Sequence, residues 1–104
     1  MKVDLTSTAI RDLSSIDARY AERVEAEMLS RWRMAAEHVF ESLARHPEIG
    51  AVVPWSGTTR AEFRSLRMPE PCHAYRVFYV LETHQLRVLR VLHVARAPWR
   101  WTPS

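Results

Sequence analysis

Apolar residues recur along this chain first with period two, then with period three to four, and finally almost without a gap. Met1, Val3 and Leu5 alternate with Lys2 and Asp4, the pattern of a short half-buried strand. "TSTAIRDL" follows, with hydroxyl residues suited to an N-cap and Asp12 in the first turns, where the helix dipole favours an acid. From Ala9 to Arg45 there is neither Gly nor Pro. Ile10, Leu13, Ile16 and Tyr20 mark one apolar stripe, and Leu29, Trp32, Ala36, Val39 and Leu43 another, so Trp32 is predicted core. One helix over these 37 residues would be a rod of about 55 Å, against a radius of gyration near ~13 Å for a domain of this size. The chain is therefore predicted to bend within Arg19–Glu27, the stretch poorest in large apolar residues. The second helix closes on Arg45 and His46, with Pro47 and Gly50 beyond.

"PEIGAVVPWSGTTR" holds both glycines and reads as a connecting loop. "AEFRSLRM" reads as a strand stopped by "PEP", and "HAYRVFYVL" and "QLRVLRVLHV" as two more, joined by the polar "ETHQ". The predicted fold class is α+β, in the order β-α-α-β-β-β, with a helical hairpin on one face of an antiparallel sheet and the other face open. Alternation places Arg76 opposite Tyr75, Val77 and Tyr79, and hence on the open face if the tyrosines meet the helices. In the last strand it groups Arg87 with Leu89, Val91 and His93, and Arg90 with Leu86, Val88 and Leu92.

A length of 104 residues suits one domain, 1–104, and the 47% apolar and 26% charged content argues for a folded globule. No apolar run approaches the ~18 to 20 residues of a membrane span, and the start lacks the apolar core of a secretion signal. Cys72 is the single cysteine, which fits a reducing, cytoplasmic setting. The net charge of +3 is uneven: residues 1–50 carry seven cations and nine acids (−2), and residues 51–104 eight and three (+5). The basic half points to an anionic partner. Fourteen of the fifteen cations are Arg, which suits phosphate or carboxylate binding but is equally expected of an arginine-biased genome.

Five segments in order, "STAIRDLSSI", "ESLARHPEIG", the Leu-Arg pair of "FRSLRM", "YRVFYVL" and "LRVLRVLHVAR", resemble the RelE/ParE superfamily of toxins from type II toxin–antitoxin systems. The resemblance implies the element order derived above, a cognate antitoxin as partner, and one of two activities. RelE-like toxins cut messenger RNA on the ribosome; ParE-like toxins inhibit DNA gyrase. Arg76 and Arg96 match arginines that RelE-like enzymes use on phosphate, and His93 is a candidate base. The earlier strand, however, offers Arg64 and Arg67 where RelE-like enzymes have lysines, and "APWRWTPS" contains neither His nor Tyr. "VLHVAR" is similar to ParE-like endings, so the chain reads as a non-enzymatic gyrase inhibitor; the alternative is an endoribonuclease using Arg76, His93 and Arg96. A homodimer or a larger toxin–antitoxin assembly is also expected of such toxins.

The candidate target- or nucleic-acid-binding residues are thus Arg64, Arg67, Arg76, His93, Arg96, Trp99, Arg100 and Trp101, the last three an aromatic and basic interleave. The structural alternative for Arg76 is a cross-strand pair with Glu62 or Glu82. No cofactor is expected: the chain has no Gly-rich phosphate loop. Metal is not expected either, since there is no HxxxH or CxxC spacing, and His38, His46 and His84 read as surface residues.

Overall fold

A computed structural model describes residues 1–22, 26–53 and 62–96. Its elements are β1 (Lys2–Leu5), α1 (Ser7–Ala21), α2 (Ala26–Arg45), β2 (Ala51–Val52), β3 (Phe63–Arg67), β4 (Tyr75–Leu81), β5 (Gln85–His93) and a 3-10 turn, Val94–Arg96. The helices are separate, and the interruption lies inside the stretch where the bend was expected. β2 is an addition: Ala51 and Val52, within the expected loop, pair with Ser65 and Arg64 of β3.

Thr6 makes the turn from strand to helix. Its extended backbone and its hydroxyl, which accepts from the Ala9 N–H at 3.1 Å, cap α1. The same hydroxyl donates to the Leu89 carbonyl at 3.1 Å, and the Thr6 N–H bonds the Val88 carbonyl at 3.1 Å. One residue therefore fixes where β1 ends, where α1 begins and how both sit on β5.

The strand order is β1-β5-β4-β3-β2. β1 lies parallel to β5, with Val3 opposite Leu86 and Leu5 opposite Val88, while every other pair is antiparallel. The sheet is thus mixed rather than antiparallel throughout. A parallel neighbour needs a long crossover, and everything between β1 and β5 supplies it.

The core forms where the helical hairpin covers the sheet. Ile16 and Tyr20 from α1, Trp32, Val39 and Leu43 from α2, and Tyr75, Val77, Tyr79, Leu86, Val88 and Val91 from the sheet make one cluster. Tyr20 stacks on Trp32 with ring centres 5.7 Å apart, and the Tyr75 ring lies tilted with its centre 5.8 Å from that of the indole. Ile10, at the end of the predicted stripe, is instead 51% exposed.

The connection after α2 is tied to the middle of the sheet. The buried Tyr79 hydroxyl donates to the Pro47 carbonyl at 2.8 Å and accepts from the Gly50 N–H at 2.9 Å. A Cβ on Gly50 would come within 2.6 Å of that hydroxyl and 2.9 Å of the Ser65 carbonyl, so close backbone approach, not a turn, demands glycine here. Burial raises the pKa of the Tyr79 phenol, the Gly50 N–H opposing it.

Two expectations about faces are corrected. The pairing of β4 with β5 slips by one residue between Phe78 and Tyr79, so Phe78 faces Arg90 while Tyr79 faces Val88. The slip changes the phase of β5: Leu86, Val88 and Val91 all enter the same core, and the grouping of Arg87 with Val91 fails. The reverse face is not open at its centre either. Phe63, Phe78 and Val80 are at most 7% exposed, and Ser65 is buried beside them. The signal was present in "VFYVL", an unbroken apolar run such as strands buried on both faces carry.

Candidate functional site

Five arginines stand on β3, β4 and β5: Arg64, Arg67, Arg76, Arg87 and Arg90. Arg90 is held by α1. Its Nε and Nη2 reach the Asp12 carboxylate at 2.8 and 3.0 Å, and the same carboxylate takes the Val91 N–H at 3.0 Å. Asp12 is therefore not a first-turn dipole partner; it takes the place a strand neighbour would have on β5 beyond the end of β1. The bond to Asp12 raises the pKa of Arg90 further. Arg87 lies 3.8 Å from Asp4 and 3.4 Å from Glu82. Arg64 donates from Nη1 to the Glu48 and Gly50 carbonyls at 2.9 and 2.7 Å and from Nη2 to Glu62 at 2.9 Å. These three guanidiniums serve the fold, and Asp4 and Asp12 of the acidic half neutralise two of them.

The remaining pair is different. The β3–β4 register sets Arg67 directly opposite Arg76. Like charges in that position repel. Among the described residues neither has a carboxylate partner; Arg76 donates from Nε and Nη2 to the Ser65 hydroxyl at 3.3 and 3.1 Å, and Arg67 is exposed. Glu62 and Glu82, the acids expected as cross-strand partners of Arg76, are bonded to Arg64 and Gln85. Two adjacent guanidiniums without a counter-ion form a fork for a phosphate or a carboxylate.

His93 is not part of this pair. It stands opposite Tyr75, packs edge-on against that ring at 5.3 Å, and accepts the Ala95 N–H on Nδ1 at 3.1 Å. Tyr75 and His93 share the helical side, whereas Arg76 points to the reverse side. The proposed nuclease residues Arg76 and His93 are thus split between faces. The Arg96 side chain, and Trp99, Arg100 and Trp101 entirely, lie outside the described residues. His38, His46 and His84 are exposed, and no group of three metal-ligating side chains occurs among the described residues. Ser65 was not singled out from the sequence, and Asp12 was only as a helix-dipole residue; nothing local marks a serine or an aspartate as the partner of an arginine 11 or 78 positions away.

A small α+β domain whose helical hairpin covers a sheet with a β1-β5-β4-β3-β2 order has the make-up of a RelE/ParE-type toxin. The family model "ParE toxin of type II toxin-antitoxin system, parDE" matches residues 3–98, and the chain belongs to that family as the toxin component of a type II toxin–antitoxin system. Among solved structures it is similar to a chain of the chromosomal ParDE toxin–antitoxin system from P. aeruginosa, with 17% identity, 89% of this chain and 95% of that chain covered, and a TM-score of 0.69. No curated protein matches. Among the described residues no helix is long and apolar enough to cross a membrane.

Proposed function

We propose that this toxin inhibits DNA gyrase without itself catalysing a reaction, and that the Arg67–Arg76 pair contacts the target. The observation that carries this reading is the pairing of two guanidiniums that no described acid neutralises. The separation of Arg76 from His93 across the sheet supports binding over ribonuclease chemistry, which needs cations and a proton-transfer group around one phosphate. A supercoiling assay with purified gyrase tests it: inhibition at micromolar toxin is expected, and full supercoiling at that excess overturns it.

The antitoxin, in this reading, docks on a sheet edge and on the helical hairpin. A groove of about 420 Å³ runs there between α1 and α2 past Leu13, Trp32 and Ala36, spanned by the Asp17–Arg33 bridge at 2.9 Å. Its bond to Arg33 holds the Asp17 carboxyl below its ordinary pKa. An acidic–apolar segment that orders on binding fits this surface. Co-expression with the cognate antitoxin restores growth, and Ala36→Glu in the toxin is expected to weaken the complex without unfolding the domain.

A further inference from the structure

β5 runs on to His93 after β1 has ended at Leu5, and α1 packs against this continuation, where Val91 is buried. A recess of about 110 Å³ lies between the two, beyond the Asp12–Arg90 pair. It belongs neither to the Arg67–Arg76 pair nor to the interhelical groove. Ile16 and Tyr75 line it, and besides the paired Asp12 and Arg90 its polar side chains are Arg19, Ser15 and His93.

Those groups are donors. Arg19 sits in the last turn of α1, and among the described residues it has no carboxylate partner. Ser15 stands one helical turn before it, on the same face. His93 accepts the Ala95 N–H on Nδ1, so in the neutral ring the proton is on Nε2 and that nitrogen donates. The acid of the recess is already paired: one oxygen of Asp12 takes Arg90 Nη2, and the other takes Arg90 Nε and the Val91 N–H. A cation, a hydroxyl and an imidazole N–H around a cavity whose carboxylate is already neutralised select an oxyanion.

We infer that this recess binds a phosphate group, with Arg19 supplying the charge and Ser15 and His93 the neutral donors. The inference is independent of the gyrase reading, since it uses other residues on another face. The phosphate is either free or carried by a nucleotide, and both present the same tetrahedral oxyanion.

The test is an amide and imidazole NMR titration of the full chain with inorganic phosphate at constant ionic strength, repeated with a 5′-nucleoside monophosphate and with a dinucleoside phosphodiester. Saturable shifts at Ser15, Val91 and the His93 ring are expected, weakened about tenfold or more by Arg19→Ala, as loss of a charge-assisted contact implies. Arg33→Ala, in the other groove, is expected to leave them unchanged. Tighter binding of the monophosphate than of inorganic phosphate assigns a nucleotide as the source, and equal or weaker binding assigns the free ion. Arg19 is exposed at a helix end, and Ser15→Ala provides a second variant. Absence of saturation with phosphate, identical shifts with chloride, or unaltered binding in both Arg19→Ala and Ser15→Ala overturns the inference.

Discussion

Arg90 and the Arg67–Arg76 pair lie on the same sheet, yet they meet opposite surroundings. Arg90 enters a two-point bond with an aspartate that is only 14% exposed and that also satisfies a backbone N–H. Arg67 and Arg76 face each other; the Ser65 hydroxyl accepts from Arg76 alone, and neither arginine has an acid among the described residues. Cations that a fold needs are given acceptors at the edges where strands end. Cations that the fold leaves facing one another repel, and the proposed contact with an anionic target would offset that repulsion. Basic residues in a strand are therefore sorted by what they bond, not by how many there are.

The sharpest way to break this contrast is to remove the anchor. Asp12→Ala strips Arg90 and the Val91 N–H of their shared acceptor. A loss of about 2 to 3 kcal/mol is expected by denaturant unfolding, short of a fully buried ion pair because Arg90 can partly rehydrate. Tyr79→Phe comes next. It unties Gly50 and Pro47 for about 1 to 2 kcal/mol. This variant also changes the alkaline limb. Burial raises the folded-state pKa of the phenol above its ordinary value of 10.0, so its stabilisation is complete below that pH and is lost as pH rises through the folded value. Tyr79→Phe should therefore flatten the fall in stability at high pH. Asp17→Asn breaks an exposed, solvent-screened bridge and should lower stability less than Tyr79→Phe does. Arg67→Ala should be smallest of all, neutral or slightly stabilising, because it relieves a like-charge pair.

What the sequence disclosed and what it hid follow the range of the interactions. The hydroxyl cap at Thr6, Trp32 in the core and the tyrosine-lined inner side of β4 are set by neighbours within a few turns, and local pattern reveals them; the interruption between the helices was legible from the length a single rod would have. The parallel seat of β1 beside β5 is invisible locally, because both parallel and antiparallel partners show the same alternation. The slip opposite Phe78 adds one residue to β5 and reverses the face of every position beyond it, which no alternation rule can place in advance. The site was legible as a list of arginines. Their division into anchored and unanchored depends on Asp12 and Ser65, whose roles exist only once distant segments meet.

The most direct measurement takes the double variant Arg67→Ala/Arg76→Ala through thermal unfolding and the gyrase supercoiling assay together. Unchanged or slightly raised stability with inhibition lost is the expected result. Full inhibition by a folded double variant would contradict the assignment of this pair to the target.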